Sequence, residues 1–517
     1  MDNRQTWIID FGSQYTQLIT RKSREIGFSA SIYTLEQVRE SFANGIFPKA
    51  IILSGGPQSV FHDKNDYSFI FEKKDLPLLG ICYGMQLLGK IFGGVVEKGL
   101  TGEYGHTEVQ IKAPFKIKNC PEKFSVWMSH SDHISRVPSN FETIIETQNG
   151  FIGAIRHLEK PIMGLQFHPE VEHTNHGLDI LNYFYKEVAH LETDWTSKAM
   201  IDEAYEYLKT ASDKYILCAF SGGVDSLVAA TLAAKVHGKK VKCFFVDHGL
   251  LRPQDYTHMQ NLIKGTDLSI EIIEARAEFF ENLKGVSEPE SKRKIIGKTF
   301  IEIFEKKVHE FEQNHGIKFE YLLQGTLYPD VIESLSPHGK NGKSDTIKSH
   351  HNVGGLPDRM KLKLLEPLRF LFKDEVRKMG RELKLPDEWL NRHPFPGPGI
   401  GIRVLGTITP QLVKVVQDSD QILFEELNSS NLYNSTWQAF TVILPVKTVG
   451  VKGDSRAYEN VLSLRMVDST DGMTAKWSKL PFAFLEKVSS RITNEVEGVT
   501  RVVYDITSKP PGTIEWE

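Results

Sequence analysis

Short apolar runs, several leading into a glycine-rich turn and then a helix pattern, recur through the first 390 or so residues of the chain. Residues 7–9, 50–53, 78–82 and 163–167 read as buried strands, as do 215–220, 241–246 and 321–324. Runs this short and this uniformly apolar suit strands covered on both faces. Strand, turn and helix in repetition predict parallel sheets flanked by helices. We expect two such α/β domains, residues 1–190 and 191–392, with a polar helical segment at 191–214 leading into the second. His393-Pro-Phe-Pro-Gly-Pro-Gly-Ile-Gly401 is too rich in Pro and Gly for a helix or strand interior. After it the pattern changes. Residues 440–446, 461–467 and 501–506 read as strands of a smaller α+β domain, 393–517, expected to pair with a copy of itself.

Composition excludes several classes. At 517 residues the chain has room for about three domains with cores of their own. Basic residues number 62 and acidic residues 66, for a net charge of −4. That balance argues against nucleic acid or a membrane surface as partner, but not against a small anion held by a few placed charges. The four cysteines, Cys82, Cys120, Cys218 and Cys243, form no CxxC pair. Free thiols in a reducing compartment are expected, with no disulfide frame and no zinc site. The start of the chain shows no signal peptide, so a cytoplasmic location is expected. The most membrane-like stretch, 76–96, carries Pro77, Gln86, Lys90 and five glycines, and reads as a buried strand and helix.

One candidate site centres on Gly80-Ile-Cys82-Tyr-Gly84. Glycines on either side let the chain turn sharply and lift the sulfur to a helix N-terminus, where the dipole favours the thiolate. Alone, such a cysteine is as readily a buried structural residue. Gln166-Phe-His168-Pro-Glu170, at another strand end, sharpens the reading. His168 can serve as general base toward Cys82, with Glu170 orienting the imidazole. Ser54-Gly-Gly56-Pro57 ends a third strand, and its glycine amides could face an oxyanion together with the Tyr83 amide.

A second site is Ser221-Gly222-Gly223-Val224-Asp225-Ser226, between a strand and a helix pattern. Its amides and the helix N-terminus can cradle phosphate oxygens. The Walker lysine is absent. Asp225 is a candidate metal ligand, directly or through water. Residues 336–349, rich in Gly, Lys and Ser, read either as a solvated loop or as a mobile lid. Gly397-Pro-Gly-Ile-Gly401 follows no strand, and His350-His351 has no partner ligand at a convincing spacing, so neither is taken as a dinucleotide or zinc site.

The Cys82, His168-Pro-Glu170 and Gly56 elements together resemble the class I, or triad, glutamine amidotransferases. That resemblance implies a glutamyl thioester on Cys82 and release of ammonia, with Gln86 and Asp132 of Ser129-His-Ser-Asp132 on the glutamine side. The Ser-Gly-Gly-Val-Asp-Ser loop resembles the pyrophosphate loop of ATP pyrophosphatases, which implies adenylation of an oxygen with Mg2+. Ammonia from one site needs an acceptor carbon with a good leaving group, which the other site can make.

Over nearly its whole length the chain resembles the glutamine-hydrolysing GMP synthases. Further motifs carry this: Asp10-Phe-Gly-Ser-Gln-Tyr-Thr-Gln17, Gln324-Gly-Thr-Leu-Tyr-Pro-Asp330, His350-His-Asn-Val-Gly-Gly-Leu-Pro357, Arg392-His-Pro-Phe-Pro-Gly-Pro-Gly and the ending Lys509-Pro-Pro-Gly-Thr-Ile-Glu-Trp-Glu517. The resemblance implies the substrates glutamine, ATP and xanthosine monophosphate, and a homodimer formed by the third domain. It implies Arg293, Gln438, Arg501, Lys509, Ile514 and Glu515 around the xanthylate nucleotide. It also implies Asp330, Glu333, Lys348, His350, His351 and Asn352 beside a closing lid. Two rivals remain: another glutamine-dependent adenylating ligase, and a catalytically silent nucleotide-binding regulator. The second predicts loss of a triad member or a degraded phosphate loop, and neither is seen.

Overall fold

The computed structural model describes every residue except 1–3, 74, 113, 114, 116, 212, 336–361, 453, 454, 470, 471 and 473. The chain divides into two compact units, Met1–Ala199 and Met200–Glu517.

The first unit is built on one nine-stranded sheet. Ala30–Tyr33, Thr6–Ile9, Ala50–Leu53, Leu78–Ile81 and Ile162–Leu165 lie side by side in that order, all parallel. Successive residues of these strands enter opposite cores. Ile8 and Ile52 join one buried cluster, while Trp7, Ile9, Ile51 and Leu53 join the other. A two-residue side-chain period with both faces covered explains why the strands are apolar at every position.

The parallel-sheet expectation needs correction for the rest of this sheet. Ile152–His157, Phe141–Thr147, Val95–Ile111 and Lys123–Arg136 extend it antiparallel. Along Lys123–Arg136 buried residues alternate with exposed or half-buried ones, as expected for a strand with one wet face. Such strands lack the uniform apolarity that marked the others.

In the second unit Ser269–Glu274, Val241–Asp247, Tyr215–Ala219, Phe319–Leu323 and Lys363–Leu365 form a five-stranded sheet, parallel throughout. A further sheet pairs Gln438–Lys452 with Ser455–Asp468 antiparallel, and adds Lys476–Trp477 antiparallel and Val499–Tyr504 parallel to the latter. The two sheets share one core cluster, which includes Leu217 and Phe244 from the first and Ile443, Leu462 and Met466 from the second. The Pro-Gly stretch between them is packed, not loose. Gly399 has φ 63°, and a Cβ there would stand 2.3 Å from the Leu250 carbonyl oxygen. Ile400 N donates to that same oxygen at 2.8 Å. Among the described residues no helix is long and apolar enough to cross a membrane.

Candidate active sites

Cys82 sits between the Leu78–Ile81 strand and the Tyr83–Ile91 helix, with φ 52° and ψ −105°. Positive φ is costly for a residue with a side chain and persists only where the surroundings enforce it. Here they do. A Cβ on Gly80 would lie 2.5 Å from the Gly84 carbonyl, and one on Gly84 would lie 2.3 Å from Leu53 O. Cys82 N donates to Leu165 O at 2.7 Å and Gly84 N to Ser54 O at 3.1 Å. The Tyr83 amide, at the first helical position, has no acceptor within the helix.

His168 stands just past the Ile162–Leu165 strand, so its ring and the elbow come from adjacent strand ends. Its Nδ1 is 2.7 Å from Glu170 Oε1, and both side chains are buried. Burial opposes charge on the imidazole. The Glu170 carboxylate and the Cys82 sulfur outweigh it and hold His168 well above its ordinary range. The ring meets Tyr15 edge-on, with centroids 5.0 Å apart. A Cβ on Gly55 would come within 3.1 Å of His168 Cε1, so the Ser-Gly-Gly-Pro turn lies against the ring.

The residues expected on the glutamine side converge here. Gln86 is buried, and its Nε2 donates to Asp132 O at 2.7 Å. The Cys82 thiol faces Ser129 O at 3.7 Å. Gln166, quoted in the motif but given no role, sends Nε2 to within 3.8 Å of Cys82 Sγ. Ser59 Oγ donates to Asp132 Oδ2.

The phosphate loop follows the Tyr215–Ala219 strand and enters the Val224–His237 helix. Gly222 has φ 72°, and a Cβ there would press on Met259 Cε at 2.9 Å. Ser221 Oγ and Ser226 Oγ are 3.1 Å apart, and Ser226 Oγ donates to Gly223 O at 3.0 Å. The loop is closed on itself, while Val224, Asp225 and Ser226 supply first-turn amides for an anion. Gly325 of Gln324-Gly-Thr crosses so close that a Cβ would stand 2.8 Å from the Asp225 carbonyl carbon.

Asp225 carries the charge of this site. Its Oδ1 is buried and accepts no hydrogen bond among the described residues, and Oδ2 is 3.7 Å from Lys373 Nζ. Burial raises its carboxyl above the usual range. Asp330 raises it further, while Lys373 and Arg377 pull it down. Asp330 and Glu333 lie on the Tyr328–Leu335 helix. Lys348, His350, His351, Asn352 and the lid-like stretch 336–349 fall outside the described residues.

His258 Nε2 lies 3.0 Å from Gly222 O of the loop. Burial holds His258, His248 and His393 down to about 4. In the unfolded chain these imidazoles take up protons below about pH 6.5, and the folded ones refuse them until about pH 4. The contribution of these histidines to stability is therefore expected to fall as pH drops through that window and to level off beneath it, by up to ~3 kcal/mol per histidine. Urea unfolding of the full chain between pH 7 and 4 is expected to show the fall, and His393→Gln to make it shallower. A slope unchanged in that variant would remove His393 from the account.

The xanthylate candidates gather mostly at the chain's last residues. Glu515 is clamped by buried Arg403, Nη2 to Oε1 at 2.9 Å and Nε to Oε2 at 3.2 Å, and accepts from Gln438 Nε2 at 2.8 Å. Arg293 donates to Glu517 O, and Ile514 O accepts from Arg465. Lys509 Nζ donates to Gly472 O at 2.8 Å. Arg501 is exposed on the Val499–Tyr504 strand and is not brought to this cluster by any contact described.

Residues 7–188 match the glutamine amidotransferase class-I family model, 215–325 the phosphoadenosine phosphosulfate reductase domain, and 425–516 the GMP synthase C terminal domain. A GMP synthase [glutamine-hydrolyzing] of Chlorobaculum tepidum is 49% identical over 523 residues, covering 99% of this chain and 98% of the relative. One of Thermosipho africanus is 48% identical over 513 residues, covering 99% of each. The chain belongs to the glutamine-hydrolysing GMP synthase family.

In this family member the tail is seated by buried cations that belong to none of the sequence motifs: Lys292, Arg403 and Arg465, each fully buried. Arg465 donates to Thr507 O at 2.5 Å and Thr513 O at 2.9 Å. A signal existed. Arg465 interrupts the apolar run Val461-Leu-Ser-Leu-Arg-Met-Val467, and a lone arginine inside a buried strand requires partners. Lys373 gave none, because its partner Asp225 is distant in sequence.

Proposed function

We propose that this chain makes GMP from xanthosine monophosphate, ATP and glutamine. The observation that carries the reading is the buried His168–Glu170 pair at 2.7 Å, set beside a cysteine held at positive φ. His168 takes the Cys82 proton as Sγ attacks the side-chain amide of glutamine. The Tyr83 and Gly56 amides take the developing negative charge. Collapse breaks the C–N bond, ammonia leaves with the proton returned by His168, and water then hydrolyses the thioester to glutamate. Gln86 and Gln166 shape the pocket, and Asp132 receives the substrate ammonium.

In the second unit the purine 2-oxygen attacks the α-phosphorus of ATP, and pyrophosphate departs into the Ser221–Ser226 loop. Ammonia adds at the same purine carbon, and AMP leaves with the oxygen. The residues fit Mg2+: Asp225 has a buried oxygen with no hydrogen-bond partner among the described residues, and Asp330 adds a second negative charge. No group of three His, Cys, Asp or Glu suited to a metal occurs among the described residues. That is consistent with Mg2+, which commonly takes one or two carboxylates plus substrate phosphates. When bound it would neutralise phosphate charge.

Arg293, Gln438, Arg501, Lys509, Ile514 and Glu515 would hold the xanthylate, with Arg403 and Arg465 fixing the tail that carries two of them. Asp330, Glu333, Lys348, His350, His351 and Asn352 would border the ATP lid. The protein would act in the cytoplasm as a homodimer through residues 393–517. Exposed Val446, Val449, Val451 and Tyr458 on the Gln438–Lys452 and Ser455–Asp468 hairpin support an interface there. Incubation with xanthosine monophosphate, ATP, magnesium and glutamine should yield GMP, AMP, pyrophosphate and glutamate in equal amounts. ADP and phosphate in place of AMP and pyrophosphate would refute the adenylation route.

A further inference from the structure

Both expected oxyanion donors rest on one aromatic residue. A Cβ on Gly56 would stand 2.8 Å from Phe11 O. The Phe11 ring packs against Tyr83 and Tyr67, with centroids 5.1 and 6.0 Å apart. Asp63 closes this cluster on its polar side. Its Oδ2 accepts from the hydroxyls of Tyr67, at 2.6 Å, and Tyr83. Its Oδ1 accepts from the backbone and side-chain nitrogens of Asn65, both at 2.9 Å. Partial burial works against the Asp63 carboxylate. The hydrogen bonds from Tyr67 and Tyr83 outweigh it and keep the carboxyl below its usual range. Burial and the same carboxylate push both phenols up, so they remain donors.

The loop holding Asp63 reaches the other side of the site as well. Ser59 Oγ donates to Asp132 Oδ2, and Lys90 Nζ grips Val60 O at 2.5 Å. One short segment thus touches the residue that follows the nucleophile and the carboxylate expected to receive the substrate ammonium.

We propose that Asp63 is a positioning residue for glutamine hydrolysis, fixing Tyr83 so that its amide stays aligned with the oxyanion, and that Ser59 belongs to the glutamine subsite by orienting Asp132. The proposal rests on the roles given above to Cys82, Tyr83 and Asp132. The two residues act on different quantities. Charge on the amide oxygen develops only after attack, so loss of Asp63 lowers kcat. Asp132 meets the ground-state substrate, so loss of Ser59 raises KM.

The test is glutaminase kinetics on full-length Asp63→Asn, Tyr83→Phe and Ser59→Ala, with ammonia-dependent GMP formation as the internal measure. Asp63→Asn and Tyr83→Phe should each lower the glutamine kcat about tenfold with KM within about twofold. Ser59→Ala should raise the glutamine KM about fivefold with little change in kcat. All three should keep the ammonia-dependent rate, and iodoacetamide should alkylate Cys82 in each at close to the unsubstituted rate. The proposal is overturned if Asp63→Asn and Tyr83→Phe move KM alone or move nothing. It is also overturned if the ammonia-dependent rate falls in step with the glutamine-dependent one. Failure of the underlying reading has a separate signature: Cys82→Ala would retain glutamine turnover.

Discussion

Cys82→Ala is expected to abolish GMP formation from glutamine and to leave formation from ammonium salts within about twofold of the unsubstituted rate. The expected loss on the glutamine side is about 10⁴-fold or greater, because the sulfur forms the bond that replaces the amide. The groups that contact Sγ, the Gln166 amide and the Ser129 carbonyl, are not nucleophiles. The substitution removes one sulfur at a position whose positive φ is enforced by Gly80 and Gly84, so the elbow itself should survive. The measurement is a paired assay of GMP, once with glutamine and once with an ammonium salt at a pH alkaline enough to supply free ammonia. Loss of both activities in a folded variant would mean that the two chemistries are not divided between the sites as proposed. Retention of both would exclude the thioester.

Asp225→Ala has the opposite signature. It should lower pyrophosphate release by on the order of a thousandfold with either nitrogen source, since the proposed route needs a metal-neutralised phosphate before any amination. Glutamine hydrolysis measured alone should continue, because Cys82, His168 and Glu170 are untouched. Alanine also frees Lys373 and relieves the repulsion with Asp330, so the folded state should not suffer. Magnesium titration separates the metal role from a structural one. Asp225→Asn, which keeps the shape but not the charge, should need far more magnesium for half-maximal rate. An Asn variant with unchanged magnesium dependence would take Asp225 out of the metal site.

The elements that sequence reading recovered share a physical property. The strands at residues 7–9, 50–53 and 78–82 are buried on both faces, so each position had to be apolar and each run announced itself. Cys82, His168 and the Ser221–Ser226 loop were legible for a related reason. Each follows directly on such a strand, where a short motif must serve both turn geometry and chemistry, leaving little freedom in residue type. The antiparallel half of the first sheet was not legible. A strand with one wet face, such as Lys123–Arg136, mixes polar and apolar residues and lacks a clear marker.

By itself, the sequence determined the nucleophile elbow, its histidine and glutamate, and a phosphate loop without a lysine, because each is a contiguous pattern whose spacing the backbone must obey. The tertiary structure decided what surrounds them. It placed Lys373 beside Asp225, Gln166 beside Cys82, Arg403 under Glu515, and Asp63 on the hydroxyls of Tyr67 and Tyr83. These contacts join residues from 4 to 148 positions apart, and their identities are set by which charge or hydroxyl the fold leaves without a partner. No local spacing rule encodes that requirement, since it exists only once the chain has closed around the group to be satisfied.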